Sequence, residues 1–124
     1  MKYKIIFFFL TFLIPSAVSS CDCDEIINFD KALIVFEGKV KNIRKVENSS
    51  LRYEITFLVL KKLKGEIKKN YIKINVPSLM VAACGIEFDF VEYYKVYVYK
   101  RKNENLLYTD YCTSTQVIEN YNIQ

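Results

Sequence analysis

The chain has 124 residues, 52% of them apolar, with 18 Lys and Arg against 14 Asp and Glu for a formal net charge of +4. That length suits one domain rather than two, and the charge is too modest for a basic nucleic-acid binder. The complete lack of histidine excludes a Ser-His-Asp triad, a Cys-His pair and the usual zinc hydrolase sites. The carboxylates are scattered without a pair spaced for acid–base chemistry, so neither an enzyme nor a resident cofactor is expected.

Lys2 and Lys4 precede Ile5 to Ile14, an almost unbroken apolar run containing Phe7, Phe8, Phe9 and Phe12, and Pro15 and the small residues Ser16-Ala17-Val18-Ser19-Ser20 follow. This order of charge, apolar stretch and small residues reads as a secretory signal peptide over residues 1–20. The apolar run is about half of the roughly 20 residues that a membrane span needs. Cleavage would leave Cys21 first in a single domain of residues 21–124, with the net charge lowered to +2 by loss of Lys2 and Lys4. The expected location is secreted, periplasmic or in the cell envelope, where nucleic acid is not a natural partner.

Four cysteines follow the leader: Cys21, Cys23, Cys84 and Cys112. An even count on an oxidising route reads as two disulfides. Cys21 and Cys23 are too close to pair comfortably with each other, so each is tied to Cys84 or Cys112, and both such pairings remain open. Either way both bridges close long loops, each contributing about 4 kcal/mol in the chain-entropy account. The rival reading, Cys-x-Cys as half of a metal site, lacks other soft ligands.

The body is a series of short β-patterned runs. Ala32 to Val46 is the first, with Leu33-Ile34-Val35-Phe36 fully apolar and Gly38 marking a bulge or sharp bend. Asn48-Ser49-Ser50 is a turn and matches a glycosylation acceptor. In Leu51 to Leu63, Tyr53, Ile55, Phe57 and Val59 alternate with Arg52, Glu54, Thr56 and Leu58, a period-2 strand. Lys64-Gly65 ends it. Tyr71 to Val76 sets Ile72, Ile74 and Val76 against Lys73 and Asn75 until Pro77-Ser78.

Leu79 to Gly85 is apolar without alternation, a buried connection or an exposed loop for a partner. In Glu92 to Lys100, Tyr94, Val96 and Val98 share one face and Tyr93, Lys95, Tyr97 and Tyr99 the other. That tyrosine face is expected to pack under the C-terminal segment, since tyrosine suits half-buried strand surfaces. Leu106 to Tyr111 leads into Cys112, and Ser114 to Gln124 reads as a short helix or tail. Five strands in about 100 residues fit an all-β, five-stranded Greek-key barrel of the oligonucleotide/oligosaccharide-binding (OB) type. A sandwich, the alternative, usually has seven.

Set in order, Cys21-Asp22-Cys23, Val35-Phe36-Glu37-Gly38-Lys39-Val40, Leu63-Lys64-Gly65, Ala83-Cys84-Gly85-Ile86-Glu87-Phe88, Tyr94-Lys95-Val96-Tyr97 and Cys112-Thr113-Ser114-Thr115 resemble the tissue inhibitor of metalloproteinases family within the netrin-like superfamily. The likeness is to its short bacterial-type members with the N-terminal domain only. The resemblance implies an OB barrel and the disulfides Cys21–Cys84 and Cys23–Cys112. It further implies inhibition of a zinc metalloprotease: the amine and carbonyl of Cys21 chelate the target's zinc at its open coordination position. Asp22 enters the target's specificity pocket, where the family usually carries Thr or Ser. Cys23, Asp24, Ala82, Ala83 and Cys84 complete the contact ridge.

Two other roles compete. One is a non-inhibitory netrin-like interaction module that binds another extracellular protein or a glycan. The other is a lipoprotein anchored at Cys21, since Val18-Ser19-Ser20-Cys21 is a tolerable lipobox. Acylation there would leave three cysteines, an odd number.

Overall fold

A computed structural model of the chain describes residues 23–46, 52–77, 86–102 and 104–121. Residues 1–20 read as a leader, Cys21, Asp22, Asn48-Ser49-Ser50 read as a turn, and the Leu79–Gly85 segment with Ala82, Ala83 and Cys84 lie outside the described residues.

Six strands form in chain order: β1 Ile34–Lys45, β2 Tyr53–Lys64, β3 Tyr71–Val76, β4 Tyr93–Lys100, β5 Leu107–Tyr108 and β6 Gln116–Ile118. The sheet runs β1-β2-β3-β5-β4, and β4 returns to pair with β1, which closes a five-stranded barrel; β6 is added at β4. All pairings are antiparallel except β3 with β5, which meet in parallel at Asn75 and Tyr108 alone. The first four strands follow the apolar alternation to within two residues at each end. Closure on so few strands leaves no place for the second sheet of a sandwich.

The C-terminal segment departs from expectation. Among the described residues there is no helix, and Gln116–Ile118 is a strand whose partners are Tyr93, Tyr94 and Lys95. Three residues carry too little alternation to announce a strand; the exposed edge of β4 supplies the hydrogen bonds that make one. Tyr121 then stacks on Tyr93, centroids 4.6 Å apart and planes 10° apart. The tyrosine face is thus covered in part by the C-terminal segment. The fifth strand is also shorter than the apolar run, because Asp110 turns the chain immediately after it.

Inward residues fill the barrel. Phe36 and Val40 of β1, Ile55 and Phe57 of β2, Ile72, Ile74 and Val76 of β3, and Tyr94, Val96 and Val98 of β4 form one buried cluster. Phe36, Phe57, Phe88 and Tyr94 make an edge-to-face chain with centroid spacings of 5.4, 5.4 and 4.8 Å, a preferred geometry for aromatic quadrupoles. Phe88 comes from the segment ahead of β4 and plugs the barrel. The buried Tyr94 hydroxyl accepts the Asp89 N–H at 2.9 Å, so its polar end is satisfied.

Gly38 sits at a register shift between β1 and β2, as its position in the first run foretold. A Cβ there would collide with the Leu58 carbonyl oxygen and approach Phe36 Cε2 at 3.1 Å. Closeness of the two backbones therefore dictates glycine. A further shift between Val40 and Asn42 leaves Lys41 without a cross-strand partner. It reverses the strand's parity, so that Ile43 again points to the core.

Where β3 meets β5 the ladder is thin, and a side chain reinforces it. Asn75, 4% exposed, donates from Nδ2 to the Leu107 carbonyl at 3.2 Å and accepts from Arg52 Nη1 at 2.8 Å. The Asn75 carbonyl also takes the Thr109 N–H at 3.1 Å. A buried carboxamide left unpaired would cost stability, so this position is a tie across the seam.

Candidate functional site

The N-terminal segment reaches the barrel at one corner. Cys23 is joined to Cys112 by a disulfide that spans 89 residues of sequence, with the two Cα atoms 5.6 Å apart. This is one of the two bridges that the resemblance implies; Cys21 and Cys84 lie outside the described residues. Among the described residues no cysteine is free.

Hydrogen bonds continue the attachment past the disulfide. Ile27 forms an isolated parallel bridge with Thr113: its N–H donates to the Cys112 carbonyl at 2.8 Å, and its carbonyl accepts the Ser114 N–H at 3.0 Å. Asn28 to Lys31 then turn the chain toward β1, with the Asn28 carbonyl accepting from Ala32 at 2.9 Å and Lys31 at 3.1 Å. Lys64 Nζ donates to the carbonyls of Phe29 at 2.6 Å and Asp30 at 3.0 Å. A lysine at the end of β2 thereby holds the turn's outward-facing oxygens. Beneath it Ala32, Val35 and Tyr97 form a second small core, against which Ile27 and Leu63 pack.

The Cys112 side of the corner is equally constrained. The Asp110 carboxylate accepts the Cys112 N–H at 2.8 Å through Oδ1 and the Tyr99 hydroxyl at 2.5 Å through Oδ2. Burial, and then the hydrogen bond to Asp110, push the Tyr99 phenol up to about 12. It is therefore a donor at any ordinary pH. Thr109, Thr113 and Thr115 bring three hydroxyls together, with Oγ1–Oγ1 distances of 3.1, 2.9 and 2.7 Å. Thr113 Oγ1 also lies 3.0 Å from the Asp110 carbonyl, while the Tyr97 N–H donates to Thr115 Oγ1 at 2.8 Å. That last bond lets a threonine side chain bridge the gap on the β4 edge between β5 and β6.

Of the ridge residues named from the sequence, Cys23 and Asp24 are described. Cys23 is half-buried in the staple, and Asp24 is exposed one residue beyond it. Thr113 and Thr115, which pack beside them, belong to the Cys112-Thr113-Ser114-Thr115 motif named from the sequence, whereas the parts played by Ile27, Thr109 and Asp110 were not foreseen. For Asp110 the signal was the Asp-x-Cys spacing with Cys112, typical of a side chain capping the amide two residues on.

Large apolar side chains stand exposed around this corner: Ile26 at 48%, Phe29 at 44%, Leu33 at 48% and Tyr111 at 59%. Glu25 and Lys31 form an exposed ion pair at 3.1 Å, a minor contribution at such exposure. No group of three or more His, Cys, Asp or Glu side chains among the described residues is placed to hold a metal ion. No helix among them is long and apolar enough to cross a membrane. No protein-family model and no curated protein matches the chain.

Proposed function

We propose that the protein is an exported inhibitor of a zinc metalloprotease, built on a netrin-like OB barrel of Greek-key topology. The observation that carries the proposal is the Cys23–Cys112 disulfide followed by the Ile27–Thr113 bridge. Together they fix a short N-terminal segment to the rigid corner of a closed barrel. A segment held in this way loses little further entropy when it docks, the general advantage of preorganisation. A disulfide of this kind also fits an oxidising compartment, in keeping with cleavage of residues 1–20.

In this mechanism Cys21 becomes the first residue. Its free α-amine and carbonyl oxygen take the open position on the target's zinc, displacing the water that would attack a substrate. Asp22 enters the specificity pocket. Cys23 and Asp24 on one side, and Ala82, Ala83 and Cys84 on the other, line the contact, with a second disulfide Cys21–Cys84 holding the two together. The zinc belongs to the protease throughout.

Only a neutral amine can donate its lone pair, and an α-amine titrates near pH 7.7–8.0 in the reference state. The test is a titration of several zinc proteases with the Cys21-first protein, its N-acetylated form, and a form with one extra residue before Cys21. Inhibition confined to the first form supports chelation. Equal inhibition by the acetylated form rejects it. No inhibition by any form favours the second reading, a non-inhibitory interaction module, for which the exposed Phe90 and Val91 at 51% and 75% offer an alternative contact point.

A further inference from the structure

All of the chain's arginines, Arg44, Arg52 and Arg101, meet one row of side chains on the outside of the barrel, and every other cation is a lysine. Arg44 is the register partner of Glu54, Glu54 of Asn75, Asn75 of Tyr108 and Tyr108 of Tyr99. The row thus crosses β1, β2, β3, β5 and β4 in turn. The residues next to it in sequence, Ile43, Ile55, Ile74, Leu107 and Val98, pack against the core, so strand alternation turns the row outward.

At its β1 end the row satisfies itself. Arg44 donates to Glu54 Oε1 from Nη2 at 2.9 Å and from Nε at 3.3 Å. Further along, the guanidiniums have neutral anchors. Arg52 Nη1 donates to Asn75 Oδ1 at 2.8 Å, and the buried Asn75 side chain is tied in turn to the Leu107 carbonyl. Arg101, from the loop after β4, places Cζ 3.9 Å from the centroid of the Tyr108 ring. Since Asn75 and Tyr108 are register partners, the two guanidiniums flank one position of the β3–β5 seam. Burial, and then the hydrogen bond to Glu104, raise the Tyr108 phenol, and Arg101 and Arg52 both act to lower it. Both are therefore within electrostatic reach of one hydroxyl.

The carboxylates around the row have other partners. Glu54 is held by Arg44, Asp110 takes the Tyr99 hydroxyl and the Cys112 N–H, and Glu104 takes the Tyr108 hydroxyl at 2.7 Å. The ion pairs among the described residues are Lys31–Glu25 and Arg44–Glu54, so Arg52 and Arg101 are in neither. A guanidinium carries five N–H donors in a fixed plane; the Asn75 bond occupies one nitrogen of Arg52.

We propose that Arg52 and Arg101 together bind a carboxylate group of a ligand at the β3–β5 seam, as Arg44 binds Glu54 within the chain. The site stands whether or not the protein inhibits a protease. Asn75 and Tyr108 hold the two guanidiniums in place beforehand, which lowers the ordering cost of binding. Set against Glu104, they leave one positive charge at the seam, while Lys73, Lys100 and Lys102 add to the field from neighbouring positions in sequence. A carboxylate balances that charge and offers a guanidinium two parallel acceptors; a phosphate dianion would set its second charge against Glu104. The Tyr108 ring is 3% exposed and covered by Arg101, so the ligand is held by charge and hydrogen bonds rather than by stacking.

The test follows the arginine Nε–Hε signals of the full-length protein by NMR, at about 0.15 M ionic strength. The probes are acetate, an acetylated pentaglycine with a free C-terminal carboxylate, the same peptide as its C-terminal amide, and inorganic phosphate. Acetate and the free-acid peptide should shift the Arg52 and Arg101 signals saturably and leave Arg44, already paired with Glu54, in place. The amide should shift none. Tighter binding of the peptide than of acetate assigns the carboxylate to a polypeptide terminus, and equal binding assigns it to a small acid. Arg52→Gln and Arg101→Gln should each weaken binding roughly tenfold or more, the scale of a hydrogen bond to a charged group. Lys41→Gln removes one charge elsewhere and should stay within about twofold. The backbone amides of Phe57 and Val96, in the same spectra, separate a lost site from a lost fold. No saturable shift, equal shifts from the amide, tighter binding of phosphate than of acetate, or equal weakening by Lys41→Gln would overturn the proposal.

Discussion

The Tyr99 hydroxyl meets the Asp110 carboxylate at 2.5 Å, and the same carboxylate accepts the Cys112 N–H at 2.8 Å, so one phenol on β4 orients the residue that positions the disulfide. Burial and Asp110 together push the Tyr99 phenol from its ordinary 10.0 up to about 12. An acid whose folded pKa is raised stabilises the fold fully below its unfolded pKa and loses that contribution as pH rises through the folded one. The stability that depends on Tyr99 should be constant to about pH 10 and fall between about pH 10 and about 12. Tyr99→Phe should lower stability at neutral pH by about 1.5–3 kcal/mol, the range for a hydrogen bond to a charged group. It should also remove part of the alkaline loss. Denaturant melts of both proteins across that window measure the difference.

Replacing Cys23 and Cys112 by Ser should cost roughly 2–5 kcal/mol. The effect should be local before it is global: amide exchange at Ile27 and Ser114, whose N–H groups bond across the corner, should accelerate more than exchange in β2. Uniform acceleration throughout would mean that the disulfide supports the whole barrel rather than the N-terminal segment. Non-reducing peptide mapping of the native protein would identify the partner of Cys21.

Gly38→Ala should destabilise by about 1–3 kcal/mol, the cost of forcing extra volume into a packed site. The obstacle is the Leu58 backbone carbonyl, which cannot swing away as a side chain would. A denaturant midpoint equal to that of the native protein would show that β1 and β2 can separate at this bulge.

Asn75→Ala removes the tie between β3 and β5 and leaves the Leu107 carbonyl without its side-chain donor. A loss of about 1–3 kcal/mol is expected. Amide exchange should rise first at Thr109, whose N–H bonds to the Asn75 carbonyl.

On the proposed mechanism, Asp22→Thr should strengthen inhibition of proteases with apolar specificity pockets, since a carboxylate desolvated without a partner costs several kcal/mol. Proteases offering a basic group there should prefer native Asp22. Inhibition constants for one enzyme of each kind decide the point, and an unchanged ranking between native and variant would remove Asp22 from the pocket.

Sequence pattern revealed what depends on strand alternation. Ile55, Phe57 and Val59 against Thr56 and Leu58, or Tyr94, Val96 and Val98 against Tyr93 and Lys95, declare their inner faces because one side must be dry. The same logic failed at Gln116–Ile118, where a strand exists only because β4 has a free edge at Tyr93–Lys95. The candidate site was visible in part. Cys23 and Cys112 stand out by residue type, while the Thr109, Thr113 and Thr115 hydroxyl cluster has no periodic signature. It arises when a turn at Asp110 brings residues four and six apart into contact.

The position of the Cys23–Cys112 bridge has a mechanical consequence. Tension applied between the chain's two flanks would first peel β6 from β4 and release residues 113–121, which span at most about 30 Å at full extension. Beyond that the covalent link carries the load, and β1 to β5, all enclosed between Cys23 and Cys112, feel none of it. Pulling the oxidised protein by its ends should therefore give one short, low-force extension and then a stiff tether, whereas the reduced protein should give up the length of the whole barrel.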